Sequence, residues 1–153
     1  MNDYLKHYNN QGVFTKIASI GDGGLKLTEF GIITLKAGES YVAESGTFEV
    51  ALIVLGGTCA VTGEGFAFPK VGARKDVFSG KPHTVYIPCG TAYTVTGTTD
   101  VEIAWAASPS DLETAAYEIT PEQVKEAHIG KENYQRDALL MLTDAFPSRH
   151  LFI

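Results

Sequence analysis

The chain is predicted to be all-β, an antiparallel barrel of short strands followed by a short helix and an apolar tail, and three observations carry that prediction. Runs rich in Val, Ile, Thr, Phe and Tyr recur along the 153 residues, separated by Gly and Pro clusters as in small sandwiches and barrels. One run, FEVALIVL at 48–55, has apolar residues in both alternating registers, the pattern of a strand covered on both faces. The composition, 44% hydrophobic and 20% charged, is that of an ordinary globule and not of a disordered or membrane chain.

Taken in order, residues 1–12 alternate polar and aromatic and read as an arm lying along the barrel or as a frayed end. A first strand is predicted over 13–17, and the Gly21-Asp22-Gly23-Gly24 cluster reads as a turn. It is not a phosphate loop, because neither Lys-Ser/Thr nor a helical pattern follows. Strands are predicted at 30–36, at 48–55, at 58–62 and at 66–68, where Pro69 stops the ladder. The turns between them fall at 37–39, 56–57 and 63–65. Residues 71–78, VGARKDVF, form a polar loop with adjacent cations Arg74 and Lys75. Further strands are predicted at 83–88 and 91–96, around a Pro-x-Gly turn, and at 101–107. In the last of these Val101, Ile103, Trp105 and Ala107 share the inward face and Glu102 takes the other.

The character changes after Ser108-Pro109-Ser110. Thr120-Pro121-Glu122-Gln123 has the form of a capping box with proline at the first helical position, and Gly130 is placed to end a helix, so a helix is predicted over 121–129. Residues 134–142 fit strand or helix equally, and 150–153 read as a strand. The predicted organisation is a barrel over 1–110 and a helical extension with a strand-like tail over 111–153. Length limits the chain to one domain with an appendage.

A net charge of −6 with scattered Lys and Arg argues against a nucleic-acid surface, which needs a basic stripe. No apolar run approaches a membrane span, and the N-terminal residues do not resemble a signal peptide, so the expected location is the cytoplasm. Cys59 and Cys89 form neither a disulfide framework nor a zinc spacing, and read as small buried or half-buried thiols.

The spacing from Gly38 to Gly56 is similar to the first cupin motif, glycine followed by His-x-His, Glu and a closing glycine. Counting from Gly38, Glu44 and Gly46 fall at the two His positions, Glu49 lies one residue short of the Glu position, and Gly56 is the closing glycine. The second cupin motif, Pro-x-Gly-x-x-His, is matched by the run from Pro88 to Tyr93, with Tyr93 in place of the histidine. The fold this resemblance implies is the cupin double-stranded β-helix, with three of the four ligand positions lost. Four stretches further resemble the 5-deoxy-glucuronate isomerases of myo-inositol breakdown and the related 5-keto-4-deoxyuronate isomerases. They are EVALIVLGG at 49–57, GARKDVF at 72–78, PHTVYIPCG at 82–90 and GKENYQR at 130–136. Members of that family have two barrels, are nearly twice this length, and carry their metal in the second barrel. The chain therefore resembles the N-terminal half of the family, and no cofactor or metal is expected in it. His7, His83, His128 and His150 are far apart and show no ligand spacing.

The resemblance places Glu44, Glu49, Tyr93 and His83 near the barrel mouth. Aldose–ketose isomerisation needs a base to move a proton between adjacent carbons and an electrophile for the enediolate oxygen. Glu49 is the candidate base. Arg74 and Lys75 are the candidates for holding a sugar-acid carboxylate, the guanidinium through paired hydrogen bonds and the ammonium as a point charge. Tyr93 and His83 complete the candidate substrate-binding set, whereas Trp105, Phe48, Tyr86 and Phe66 read as core. The function implied is isomerisation of a deoxy-uronate. The alternative is a metal-free module that binds a small sugar acid or serves assembly without catalysis. The apolar Leu151, Phe152 and Ile153 are expected to be covered by pairing with a second copy, which makes a homodimer the expected assembly.

Overall fold

Alternating apolar residues and Gly-bounded turns produce twelve strands in the computed structural model, which describes residues 5–10 and 12–153. In chain order these are β1 (Phe14–Ala18), β2 (Glu29–Leu35), β3 (Ser40–Glu44), β4 (Phe48–Gly56), β5 (Cys59–Gly63) and β6 (Phe66–Val71). They continue as β7 (Thr84–Ile87), β8 (Ala92–Gly97), β9 (Val101–Pro109), β10 (Tyr117–Ile119), β11 (Lys125–Ile129) and β12 (Arg136–Leu140). Among the described residues the helical elements are single 3-10 turns at Asp22–Gly24, Pro121–Gln123 and Glu132–Tyr134. Residues 1–4 and 11 of the expected N-terminal arm lie outside the described residues. Asn10 donates to the Thr34 hydroxyl at 3.3 Å, which ties the arm to β2.

The strands form a six-stranded sheet in the order β1-β2-β9-β4-β7-β10, a four-stranded sheet in the order β3-β8-β5-β6, and the separate hairpin β11-β12. Every pairing is antiparallel. The two larger sheets pack face to face over one apolar cluster. Val50, Leu52 and Val54 of β4 and Ile103, Trp105 and Ala107 of β9 meet Val61, Tyr93 and Val95 of the smaller sheet there. The two sheets share no hydrogen-bonded ladder, so closure into the expected barrel is not seen among the described residues. The inward face predicted for residues 101–107 is observed.

β4 is buried on both sides. Its alternate residues Ala51 and Ile53 belong to a second apolar cluster on the outer face of the larger sheet, with Tyr86, Ala104, Ile119, Val124, Met141, Leu142 and Leu151. The C-terminal third of the chain lies on that face, which explains why one strand needs apolar residues in both registers.

Two expectations for this third are corrected. The predicted helix over 121–129 is one 3-10 turn followed by a strand. The capping box forms, with the Gln123 side chain accepting from the Thr120 N–H at 2.9 Å, but Val124 is already extended, with φ −69 and ψ 121. A cap satisfies the first N–H groups of a turn and supplies no apolar stripe for a longer helix to bury. Val124 is buried whereas Lys125, Glu126, His128 and Ile129 are exposed, so backbone pairing with Arg136–Leu140 takes the segment instead. The second correction concerns the tail, which folds back on its own chain. The Ile153 N–H donates to Leu142 O at 3.1 Å, the Met141 N–H donates to Ile153 O at 2.7 Å, and Leu151 is buried, while Phe152 remains exposed. The bare tail that motivated a homodimer is thereby covered within the chain.

Candidate functional site

The space between the sheets is occupied by the apolar core, and among the described residues a cleft that can take a small molecule lies at one end of the sandwich. There the ends of β2 and β4, the turn at Gly57 and Thr58, the loop 73–77 and the start of β9 enclose about 660 Å³. Antiparallel pairing of β2 with β9 sets Leu35 opposite Val101, which brings Lys36 and Asp100 together across the cleft floor. Lys36 Nζ lies 2.8 Å from Asp100 Oδ2, and Asp100 Oδ1 also accepts the Ala37 N–H at 3.1 Å. The Lys36 bond and the backbone N–H hold the Asp100 carboxyl below the usual carboxylate range.

The cationic wall is the loop predicted as polar. Its backbone packs directly on the Gly56-Gly57 turn: the Gly57 N–H donates to Arg74 O at 3.0 Å, and a Cβ on Gly56 would come within 2.6 Å of Lys75 O. Arg74 Nε donates to Val54 O at 3.0 Å and Nη1 to Gly80 O at 3.3 Å, which pins the guanidinium at the cleft edge. Burial pushes its pKa below the ordinary arginine value, and nearby Asp76 opposes that. Asp76 accepts from the Ser79 hydroxyl at 2.7 Å and the Phe78 N–H at 3.0 Å, so it shapes the loop, and these bonds lower its pKa. Lys75 is an exposed residue of the cleft lining and makes no ion pair among the described residues.

The sequence-predicted residues separate into five places. Arg74 and Lys75 line the cleft. Glu49 is fully buried on the outer face of the larger sheet, where Oε2 accepts from the Tyr86 hydroxyl at 2.7 Å and the Arg149 N–H at 2.8 Å. Its Oε1 accepts from the His150 N–H at 2.7 Å and the Leu151 N–H at 2.9 Å. Tyr93 is buried between the sheets, where its hydroxyl accepts from Trp105 Nε1 at 3.1 Å, and burial raises its pKa. His83 is 8% exposed and lies behind the cleft loop, bonded to Gly72 and Glu118. Glu44 is exposed at the end of β3.

The ligand positions of the cupin pattern thus do not converge. Gly46 has no side chain, the Glu49 oxygens each accept two hydrogen bonds, and Tyr93 is a core residue. Among the described residues no group of three His, Cys, Asp or Glu side chains is arranged to hold a metal ion. Lys36, Thr58, Thr99 and Asp100 line the cleft and were not singled out from the sequence. Lys36 and Asp100 are 64 positions apart, and only the β2–β9 register brings them together.

The sequence profile of the KduI/IolB family matches residues 4–153. The chain belongs to this family. Among curated relatives, a 5-deoxy-glucuronate isomerase of Shouchella clausii is 32% identical over 110 residues, covering 71% of this chain and 39% of the relative. One from Bacillus subtilis strain 168 is 30% identical over 125 residues, covering 81% of this chain and 46% of the relative. The chain therefore spans less than half the length of these two relatives. The crystal structure of an IolB-like protein from Salmonella typhimurium LT2 superposes with a TM-score of 0.82 at 30% identity, over 88% of this chain and 51% of that one. A putative glyoxylate-induced protein from Pseudomonas aeruginosa, at TM-score 0.61 and 15% identity over 86% of this chain and 49% of that one, shares the fold alone. No helix among the described residues is long and apolar enough to cross a membrane.

Proposed function

We propose that this KduI/IolB-family chain serves 5-deoxy-glucuronate isomerisation as the part that holds the acid group of the sugar, in the cleft walled by Arg74 and Lys75. The single observation that carries this reading is the adjacent pair Arg74 and Lys75, with the Arg74 guanidinium pinned, in the lining of a cleft of about 660 Å³, large enough for one sugar. The relatives' name, 5-deoxy-glucuronate isomerase, supports a sugar acid as the ligand class. A carboxylate entering the cleft meets Lys75 as a point charge and the remaining Arg74 N–H groups as directed donors. Asp100 is already paired with Lys36, so it adds little repulsion.

The proton transfer needs a base and an electrophile positioned at adjacent carbons. Asp76, Asp100 and Glu102 are the carboxylates in the cleft. Asp76 is engaged in its own loop and Asp100 with Lys36, which leaves Glu102, exposed on β9, as the remaining carboxylate, and no histidine or cysteine lines the cleft. In this reading the reacting carbons project from the cleft toward groups supplied by another polypeptide segment. A second reading, a metal-free module that binds a sugar acid or serves assembly without catalysis, is favoured by the full engagement of the Glu49 carboxylate on the outer face.

Calorimetric titration with glucuronate tests the cleft. Arg74→Ala is expected to weaken binding about tenfold or more, as loss of a charge-assisted contact does. Equal affinity in the variant overturns the assignment. Turnover of 5-deoxy-glucuronate by the chain alone would overturn both the non-catalytic module and the need for groups from another segment.

A further inference from the structure

Two of the cleft's cationic residues, Arg74 and Lys75, ride on a loop whose first amide is held by a histidine that does not line the cleft. The Gly72 N–H donates to His83 Nδ1 at 3.1 Å, and His83 Nε2 lies 3.0 Å from Glu118 Oε2 on β10. An amide nitrogen only donates, so Nδ1 carries a lone pair and the ring proton sits on Nε2, where Glu118 accepts it. With the ring 8% exposed, water does not readily replace either bond.

The surroundings convert this hydrogen bond into a constraint on the whole loop. Gly72 has φ +88, and a Cβ there would lie 2.5 Å from Gly57 O and 2.7 Å from Val54 Cγ1, so the loop enters the cleft backbone against backbone. The Val54 N–H donates to His83 O at 3.0 Å, while Val54 O accepts from Arg74 Nε. His83 is therefore bonded both to the base of the loop and to the strand residue on which the Arg74 guanidinium rests.

We infer that His83 is a positioning residue for the cleft: the neutral ring fixes the Gly72 end of the loop and with it Arg74 and Lys75, and protonation releases that end and weakens anion binding. This inference rests on the reading of the cleft as a sugar-acid site. Histidine changes charge between about pH 5 and 8, and a protonated Nδ1 would set one N–H against another in a buried place. The charged groups around the ring are Glu118 on β10, which lies against Nε2, Glu122 in the 121–123 turn, and Lys81, itself paired with Glu126 of β11 at 3.2 Å. On the loop side stand Arg74, Lys75 and Asp76, and the adjoining β4 residue, Val54, is uncharged.

Two substitutions divide the roles of the ring. His83→Asn keeps an acceptor near the Nδ1 position and cannot titrate, whereas His83→Gln keeps a donor toward Glu118 and loses the acceptor for Gly72. The amide resonance of Gly72, followed by nitrogen-15 NMR in the wild-type chain, is expected to titrate with the His83 ring and to stop titrating in His83→Asn. Glucuronate affinity in the wild type is expected to fall about tenfold from about pH 8 to about pH 5.5, to stay level in His83→Asn, and to be weak at both values in His83→Gln. A Gly72 amide that ignores the titration of His83 overturns the inference whatever the cleft binds, and this readout needs no variant to fold. So does a pH dependence in His83→Asn that follows the wild type. Failure of the wild type to bind glucuronate at either pH, with Gly72 still following His83, overturns the sugar-acid reading and the affinity part of the inference while the coupling of ring to loop stands.

Discussion

Glu49 shows how a residue at a motif position acquires a different task from its surroundings. Three successive backbone N–H groups, those of Arg149, His150 and Leu151, converge on its carboxylate, and the Tyr86 hydroxyl supplies a fourth hydrogen bond. Burial alone would push this carboxyl up, but the N–H groups and the hydroxyl more than offset it and leave the pKa below the ordinary glutamate value of 4.5. The folded form thus binds its proton less readily than the unfolded chain does. Its contribution to stability is present above the ordinary value and is lost as pH falls through the lower folded one. Glu49→Gln is expected to cost about 2 to 3 kcal/mol near neutrality, because an amide NH₂ would face N–H groups in a buried place. Chemical denaturation across pH checks this: the gap between wild type and variant should close in acid, and a constant gap would show that the charge is not what holds the C-terminal segment.

At the scale of elements, the decisive contact is the turn between β4 and β5. Gly57 has φ +91, and an added Cβ would collide with the carbonyl of Asp100, whereas Gly65 has φ +81 with nothing within 4 Å. Alanine at Gly65 therefore costs only the left-handed conformation, about 1 to 2 kcal/mol. Alanine at Gly57 adds displacement of the bend at Asp100 that leads into β9, and it should lower the thermal midpoint clearly further than Gly65→Ala. Equal midpoints would mean that the turn yields without strain. Element type was readable where local signals act alone: the turn at Gly56-Gly57 and the doubly covered β4 follow from residues adjacent in sequence. Over 121–129 the local signal, a real capping box, extends over one turn, and the conformation beyond that turn depends on a partner strand seven to fifteen positions away.

For the whole molecule, the outer face of the larger sheet depends on the C-terminal segment. Tyr117 stacks on Tyr86 at 4.7 Å and on Phe146 at 5.8 Å, and Leu151 and Ile153 complete the cluster. Removing residues 144–153 strips these apolar groups and leaves the Glu49 carboxylate without its N–H donors. The loss of Phe146, Leu151 and Ile153 burial alone is on the order of 5 kcal/mol, comparable to the net stability of a small domain. The shortened chain is expected to bind a hydrophobic dye and to associate in light scattering, with a much lower thermal midpoint. An unchanged midpoint and mass would show that the segment is not part of the core.

Strand character, the positions of tight turns, the inward face of β9 and the cationic loop at Arg74 and Lys75 were legible in the chain, because each depends on residues within a few positions of one another. The family was legible too, since its motifs are short and contiguous. The cleft was only half legible. Arg74 and Lys75 are neighbours in sequence, but Lys36 and Asp100 meet through a long-range strand register, and no local pattern encodes which strands will pair. The separation of Glu49, His83 and Tyr93 arose in the same way. A strand alternates its side chains between faces, and which face becomes core, outer layer or cleft depends on what later packs there. The C-terminal third, by covering the outer face of β4, made Glu49 a buried anchor.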